Sequence, residues 1–294
     1  MSRMGDIAEP VPATDGQLRP AGPVAFVGAG QMGAPMVRRL LAAGVQVTLH
    51  ARQAEVRKTF TELGARTTAS LADAVKDAEV VVSCLFNESQ VEDVLLGSDG
   101  LIALLEPGTV LVSHTTVELR LLARVDDAAT TRGVSLLDAP VSGAPDDILA
   151  GRLTILAGGD DATVETARPA LETYGLVLRT GGMGSASRVK LVNNLLFTVN
   201  VQTAAAAAVL GQQLGVEMNA LFDALGHCSA STRAIETMRG LGSIELYAEL
   251  GAKYLRKDVA AALATAAEEG ADPGVLAYAA HHGPLRLTSG TSPA

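Results

Sequence analysis

The stretch Val24-Ala25-Phe26-Val27-Gly28-Ala29-Gly30-Gln31-Met32-Gly33 decides the fold of this chain. A short apolar strand runs into three glycines with the spacing G-x-G-x-x-G, and a helical pattern follows. Glycines at this spacing allow a tight turn, a close approach of the backbone to a pyrophosphate, and close packing of the helix on the strand. The helix N-terminus supplies N–H donors for the phosphates. The stretch therefore predicts a dinucleotide-binding unit, and glycines that serve only the turn are the alternative.

The end of the next strand, at residues 46–50, indicates which dinucleotide is bound. An NAD site usually has an acidic residue about 20 residues after the glycines, where it binds the ribose hydroxyls. This chain has His50-Ala51-Arg52 there, and the first acidic residue is Glu55. An arginine suits a 2′-phosphate because its guanidinium forms charge-assisted hydrogen bonds. We therefore expect Arg52 to select NADP over NAD, and an ordinary surface arginine is the alternative.

Strands and helices alternate through the next part of the chain. Strands are predicted at 79–85, 109–113, 134–137, 152–157 and 176–178, and helices at 71–76, 91–96, 119–130 and 164–171. This alternation predicts an α/β fold with a parallel, doubly wound sheet of the Rossmann type. Ligands bind beyond the carboxyl ends of such strands. Those ends are Leu85-Phe86-Asn87, Ser113-His114-Thr115-Thr116 and Asp138-Ala139-Pro140-Val141-Ser142-Gly143, and loop capping is the alternative role for each.

A long helix is predicted from Ser185 to Leu214, with Gly215 where it would stop. At roughly 30 residues it far exceeds the mean helix, so we expect it to be buried and to join two domains. Lys190 and Asn194 are four residues apart and share one face, beside a glycine loop at residues 181–184. An ammonium and a carboxamide so placed can hold and protonate a carbonyl oxygen. A lysine that reaches solvent beside a capping or core asparagine is the alternative.

The chain divides into a disordered tail and two domains. The tail is residues 1–20, the dinucleotide-binding Rossmann domain is residues 21–182, and a smaller all-α domain for substrate binding and dimerisation is residues 183–294. The second domain begins with the long helix and continues with helices predicted at 217–225, 234–238, 244–250 and 257–269. The residues after 269, which are rich in Gly, Pro and Ser, are expected to be frayed.

Composition excludes several classes of function. The net charge of −9 argues against nucleic-acid binding, which needs a basic patch. The two cysteines, Cys84 and Cys228, lack neighbours at metal-ligand spacing, so we expect no metal site and a reducing compartment. The N-terminus has no apolar signal segment, and no unbroken apolar run reaches about 18 residues. We therefore expect a soluble cytoplasmic protein.

Three motifs, taken together, resemble those of the β-hydroxyacid dehydrogenase family. They are Gly28-Ala29-Gly30-Gln31-Met32-Gly33, then Asp138-Ala139-Pro140-Val141-Ser142-Gly143, then Gly181-Gly182-Met183-Gly184 leading to Lys190-Leu191-Val192-Asn193-Asn194. The family includes 3-hydroxyisobutyrate dehydrogenases, tartronate semialdehyde reductases and, more distantly, 6-phosphogluconate dehydrogenase. The resemblance covers about residues 23–270. It implies hydride transfer between a nicotinamide and a small 3-hydroxy acid or semialdehyde, without a metal, in a homodimer or homotetramer.

The resemblance also implies roles for individual residues. Lys190 would be the general acid and base, with a pKa lowered by burial and nearby cations, and Asn194 would bind the reacting oxygen. Ser142, Gly143 and the adjoining Ala144 would bind the substrate carboxylate. Together with Arg52, the cofactor-binding residues would be Gly28, Ala29, Gly30, Gln31, Met32, Gly33, Leu85, Phe86, Asn87, Thr116 and Lys257.

The chain also departs from the family pattern. Ala144 replaces a glycine and is followed by Asp146 and Asp147, which would disfavour a second substrate carboxylate. Few residues follow Lys257, so the family's usual final helix is expected to be absent or replaced. Two alternative functions remain open. One is an imine reductase, although those enzymes generally lack the lysine and the second motif, and the other is a non-enzymatic dinucleotide-binding module.

Overall fold

The computed structural model describes residues 21–285. The predicted disordered tail at residues 1–20 lies outside the described residues, as does the segment 286–294. The chain forms two compact units, the first ending at Lys190 and the second beginning at Leu191. The division falls within one long helix that begins in the first unit and continues into the second.

A single sheet organises the first unit, and within residues 21–285 it has nine strands. They are β1 Val24–Val27, β2 Val47–His50, β3 Arg66–Thr68, β4 Val80–Ser83, β5 Val110–Ser113, β6 Ser135–Asp138, β7 Val141–Ser142, β8 Leu153–Gly158 and β9 Gly175–Gly181. The order across the sheet is β3-β2-β1-β4-β5-β6-β8-β7, and β9 pairs with β8. Strands β1 to β6 are all parallel to their neighbours among themselves, which confirms the predicted Rossmann-type α/β fold.

Helices follow the strands of this unit and cover the sheet. They are α1 Gly33–Ala42, α2 Ala54–Glu62, α3 Leu71–Val75, α4 Glu88–Val91 with a π-helical turn Glu92–Leu96, α5 Leu101–Leu104, α6 Leu119–Thr131, α7 Pro145–Leu149 and α8 Asp161–Leu171. Alternate residues of each strand point to opposite faces. Phe26 and Val82 therefore join a core with α1 and α8, whereas Val27 and Val81 join a second core with α6.

The expectation of a parallel sheet throughout is wrong at one end. Strand β8 is antiparallel to β6, through the pair Asp138 and Gly158, and is also antiparallel to β7. A parallel neighbour needs a crossover that carries the chain back along the sheet, usually through a full helix. Here the connection consists of the two-residue β7 and the five-residue α7, so the chain reverses. The sequence patterns predicted neither β7 nor α7, and they also missed β3 and α2.

The second unit contains helices throughout. They are the long helix α9 Ser185–Gln213, then α10 Met218–His227, α11 Arg233–Leu241, α12 Ile244–Glu268 and α13 Gly274–His281. Helix α9 begins at the predicted residue and ends just before Gly215, whose φ of +78° suits a glycine after a helix. By length and composition alone, α9 is apolar enough to cross a membrane, with a mean hydropathy of 1.3 over an 18-residue window. Half of that window is buried inside the protein, and the core helix of a soluble protein meets the same criterion, so this is weak evidence for a membrane span.

Two predictions for this unit are wrong. The segments 244–250 and 257–269 belong to one helix, because Tyr247 and Leu255 on either side of Gly251 pack in the same core. Residues 274–281 are helical instead of frayed. The buried side chain of Gln202 holds this end of the chain: its Nε2 donates to the Ala280 and Leu285 carbonyls at 2.9 Å, and its Oε1 accepts the Leu285 N–H.

Candidate active site

The three glycines after β1 each meet a different structural demand. A Cβ on Gly28 would lie 2.2 Å from the Cys84 carbonyl oxygen, and a Cβ on Gly33 would lie 2.0 Å from the Gly28 carbonyl oxygen. A Cβ on Gly30 would meet nothing within 4 Å. Two glycines are therefore required by packing, and the third leaves open space above the backbone. Met32, the N-cap of α1, makes no side-chain capping bond. This cradle fits the pyrophosphate of a dinucleotide.

The strand register brings five loops to one edge of the sheet. Val27 pairs with both His50 and Ser83, Ser83 pairs with Ser113, and Ser113 pairs with Asp138. These residues are the last of their strands, so the loops that follow β1, β2, β4, β5 and β6 start at the same level. The edge includes the position between β1 and β4, where the strand order reverses and where ligands of such sheets bind.

Two guanidinium groups lie at the corner after β2, that of Arg52 in the loop and that of Arg57 on α2. Arg57 Nη1 donates to the carbonyl oxygens of both Ala51 and Arg52 at 2.7 Å, and the Arg52 side chain is exposed. Burial lowers the pKa of His50, and the charges of Arg52 and Arg57 lower it further. Glu55 lies in the first turn of α2. The positive charge at this corner suits an anionic group on the adenosine ribose.

The loops after β4 and β5 are tied together by one hydroxyl. Thr115 Oγ1 donates to the Leu85 carbonyl and accepts the Leu85 N–H, both at 3.0 Å. Asn87 Oδ1 accepts the Gln90 N–H at 2.9 Å, so its side chain caps α4. Phe86 remains 75% exposed at this edge. Leu85, Phe86 and Asn87 therefore form one fixed loop, and the half-buried Thr116 lies next to the residue that holds it.

A buried histidine, which the sequence placed at a strand end without assigning it a role, supports the loop after β6. His114 Nδ1 lies 2.6 Å from the Ala139 carbonyl oxygen, and Nε2 lies 2.8 Å from the Tyr174 hydroxyl. A carbonyl only accepts, so Nδ1 carries the proton and Nε2 accepts from Tyr174. Burial lowers the pKa of His114 to about 4, which keeps the ring neutral. The polar residue at the end of β5 was the only sequence feature that pointed to it.

The predicted substrate loop begins at Ser142. Gly143 has a φ of +140°, and a Cβ there would lie 2.9 Å from Leu153 Cδ1, so a glycine is required. The Ala144 N–H donates to Asp147 Oδ2 at 3.0 Å. Asp147 also lies 3.5 Å from Arg152. Asp147 thus caps α7 and already accepts the Ala144 N–H.

The start of α9 is fixed to the end of β6. Asp138 Oδ2 accepts the Ser187 N–H at 2.8 Å, and Oδ1 accepts the Ser187 hydroxyl at 2.7 Å. Burial raises the pKa of Asp138, and the two hydrogen bonds from Ser187 and the charge of Arg188 oppose that shift. Asp138 begins the second sequence motif but was assigned no role of its own, and Ser187 was not among the predicted site residues. Their contact spans 49 residues of the chain and leaves no sequence pattern.

Lys190 follows Ser187 by about one helical turn on the same face of α9. Lys190 is half-buried, and Asn194, one turn further on, is 8% exposed. Asn194 Oδ1 accepts from Asn193 Nδ2 at 3.2 Å. Lys257 is exposed on α12 in the second unit. Within residues 21–285, no group of three or more His, Cys, Asp or Glu side chains could hold a metal ion.

Comparisons with known proteins agree with this arrangement. Residues 23–185 match the family model of the NAD binding domain of 6-phosphogluconate dehydrogenase. Residues 184–282 match the model described as NAD-binding of NADP-dependent 3-hydroxyisobutyrate dehydrogenase. An NAD-dependent L-serine dehydrogenase of Pseudomonas aeruginosa is 36% identical over 214 residues, which is 72% of each chain.

Solved structures give the same result. The chain is similar to Mycobacterium tuberculosis 3-hydroxyisobutyrate dehydrogenase with L-serine, with a TM-score of 0.78 and 27% identity over 91% of this chain and 97% of that one. It is also similar to Psf3 in complex with NADP+ and 2-OPP, with a TM-score of 0.75 and 26% identity over 87% of this chain and 91% of that one. The chain therefore belongs to the β-hydroxyacid dehydrogenase family, as an NAD(P)-dependent oxidoreductase of hydroxy acids.

Proposed function

We propose that the enzyme transfers a hydride between NADP and a small 3-hydroxy acid or its semialdehyde, with Lys190 as the general acid and base. The observation that carries this proposal is the start of α9. Lys190 lies one turn beyond Ser187, which is bound to the carboxylate at the end of β6, and β6 leads directly into the predicted substrate loop. A half-buried lysine one helical turn from that strand end is suited to moving a proton on the substrate oxygen.

The roles of the side chains follow from their chemistry. When bound, the nicotinamide accepts or supplies the hydride. During oxidation Lys190 removes the proton from the substrate hydroxyl, and during reduction it donates a proton to the carbonyl oxygen. The Asn194 carboxamide donates a hydrogen bond to that oxygen and orients it. The hydroxyl of Ser142 and the N–H of Gly143 bind the substrate carboxylate without adding a full positive charge.

Our proposal of NADP as the preferred cofactor rests on the corner after β2. Arg52 is exposed there, and Arg57 holds the carbonyls of the same loop. A 2′-phosphate gains charge-assisted hydrogen bonds from such a group, whereas a bare ribose would be served better by an acid at the strand end. The similar Psf3 is described in complex with NADP+, although the similar L-serine dehydrogenase is NAD-dependent.

The cofactor-binding surface that we propose uses the three glycines and the intervening Ala29, Gln31 and Met32 around the pyrophosphate. We assign the fixed loop of Leu85, Phe86 and Asn87, together with Thr116, to the nicotinamide half of the cofactor. Lys257 is assigned to the cofactor from the family resemblance alone.

The enzyme is further proposed to be a cytoplasmic homodimer or homotetramer. Most of the large apolar side chains that are exposed among the described residues lie in the second unit, including Val192, Leu210, Leu214, Leu250 and Tyr278. Burial of such side chains against another copy removes apolar area from water. Light scattering that shows a stable monomer would contradict the assembly, and recovery in the membrane fraction would contradict the location.

The test is a panel of small substrates assayed with each cofactor. Oxidation of L-serine, 3-hydroxyisobutyrate and L-threonate, and reduction of the matching small semialdehydes, are followed by NADPH or NADH absorbance. We expect turnover of at least one pair with NADP preferred, and a loss of about 10²- to 10⁴-fold in kcat for Lys190→Ala. The affinity for NADPH should stay within about threefold. Turnover that is indifferent to Lys190→Ala contradicts the proposal, and NADPH binding with no turnover on any substrate favours a binding module.

A further inference from the structure

Asp138 is the one acidic side chain among the described residues that is fully buried, at 2% exposure. A carboxylate is costly to bury unless its oxygens are hydrogen-bonded. Here both oxygens accept, and both donors belong to Ser187, which is itself fully buried. This buried pair of hydrogen bonds joins the sheet to the start of α9, between two residues that are 49 positions apart in the chain.

The two bonds hold the first turn of α9 and orient the face that carries Ser187. The first N–H groups of a helix have no partner within the helix, and a carboxylate there interacts favourably with the helix dipole. A bond to the backbone N–H holds the helix end in place. The second bond, to the hydroxyl of the same residue, fixes the direction in which that face points. Lys190 is three residues further on, about 4.5 Å along the axis and on the same face.

The other side of Asp138 leads to the predicted substrate loop. Asp138 ends β6 and pairs with Ser113 and Gly158 on either side. The next residue, Ala139, has its carbonyl held by His114, and Ser142 follows three residues later. Asp138 therefore joins two fixed parts of the fold. It ends the strand that leads to the predicted substrate loop, and it binds the start of the helix that carries Lys190.

We propose that Asp138 is a positioning residue, which through Ser187 sets the place and direction of Lys190 relative to the substrate loop. Asp138 has both oxygens engaged by Ser187 and acts through that residue. The proposal rests on the proposed role of Lys190. It predicts that loss of the two bonds lowers the rate of the chemical step in folded protein, because a small misplacement of a reacting group is costly.

Three variants separate the bonds. Asp138→Ala removes both. Ser187→Ala removes the hydroxyl bond and keeps the backbone bond. In Asp138→Asn the carboxamide can accept the Ser187 N–H and donate to the Ser187 hydroxyl, so the contacts can persist without the charge. We expect kcat to fall by about 10²-fold in Asp138→Ala and by about 10-fold in Ser187→Ala, with KM and NADPH affinity changed by less than about threefold. Asp138→Asn should recover most of the Ala loss.

The matched control is Asp160→Ala at the start of α8. Asp160 accepts the N–H and the hydroxyl of Thr163, both at 2.8 Å, but α8 carries none of the proposed catalytic residues. Its loss should lower thermal stability and leave kcat unchanged. A kcat within about twofold of wild type in folded Asp138→Ala or Ser187→Ala would overturn the positioning role. If Asp138→Ala does not fold, Ser187→Ala and Asp138→Asn decide the matter.

Failure of this proposal is distinct from failure of the proposed function. If activity requires Lys190 but is unchanged in all three variants, only the positioning role is contradicted. Activity that is indifferent to Lys190→Ala removes the proposed function as well. The pH profile of kcat separates a positioning role from a loss of stability, because lower stability alone does not shift that profile. The part of the profile that depends on Lys190 should shift along the pH axis in Ser187→Ala and stay unchanged in Asp160→Ala.

Discussion

Helices α8 and α9 begin with the same hydrogen bonds in opposite surroundings. Asp160 accepts the N–H and hydroxyl of Thr163, three residues away, and Asp138 accepts the same two groups of Ser187, 49 residues away. Asp160 is exposed and its pKa is lowered by those bonds, whereas burial raises the pKa of Asp138. A local cap only stabilises the helix that contains it. A cap from a strand also fixes where the helix starts on the sheet, which is what the proposed catalytic residue Lys190, one turn later, would need.

The largest difference between the two helix starts is expected in the free energy of unfolding. Asp138→Leu removes the acceptor and leaves the Ser187 N–H and hydroxyl buried without a partner, so we expect the free energy of unfolding to fall by about 2 to 5 kcal/mol. Asp160→Ala exposes its donors to water and should cost about 1 kcal/mol, as an ordinary N-cap does. Urea unfolding of both variants measures the difference. Equal losses would mean that the two helix starts are energetically alike.

The histidine beside Asp138 should make this strand end sensitive to acid. His114 has a pKa of about 4 in the folded protein, below the ordinary value near 6.5, so the unfolded chain binds more protons between these values. Stability should therefore be fully present above about pH 6.5 and fall by up to about 1.4 kcal/mol per pH unit on the way to pH 4.

The measurement is the free energy of unfolding as a function of pH in wild type and in His114→Asn. The asparagine amide can still donate to the Ala139 carbonyl but does not titrate. Its slope between pH 4 and 6.5 should be smaller than that of wild type. An unchanged slope in His114→Asn contradicts the account.

A substitution at Arg52, in the corner after β2, should change the cofactor preference without changing the proton transfer proposed for Lys190. Its effect should therefore differ in kind from that of a change at the start of α9. Arg52→Ala is expected to lower kcat/KM for NADPH by about 10- to 100-fold, the worth of a charged hydrogen bond, and to change the value for NADH little. The pH profile of kcat should stay as in wild type. Arg38→Ala on α1 is a control of the same type. Equal losses for both cofactors would show that Arg52 does not contact a 2′-phosphate.

The sequence predicts features whose cause is local. The glycine spacing between β1 and α1, the apolar strands, and the start of α9 at Ser185 could all be predicted because each depends on neighbouring residues. The short β7 and α7 were missed because they are too brief to show a period. Helix α12 was divided in two because the packing of Tyr247 and Leu255 outweighs the low helix propensity of Gly251.

The support of the candidate site was hidden for a different reason. Lys190 and Asn194 could be proposed as a pair because they are four residues apart on one predicted helix and match a family motif. The bond from Asp138 to Ser187 spans 49 residues, and the contact between His114 and Tyr174 spans 60. Hydrogen bonds between such distant residues leave no periodic pattern in a single chain. The motifs therefore predict candidate reacting groups, and the fold adds the contacts that hold the start of the helix that carries them.

Lys190 has the central role in the proposed mechanism, as the group that removes the substrate proton. The most direct measurement is the pH dependence of kcat/KM for oxidation of the best hydroxy acid by wild type and Lys190→Ala, with and without added ethylamine. For wild type we expect kcat/KM to fall tenfold per pH unit below one pKa. For Lys190→Ala we expect a value about 10²- to 10⁴-fold lower, without this decrease at low pH, and partial rescue by ethylamine. The same decrease at low pH, at nearly the wild-type rate, in Lys190→Ala would contradict this role.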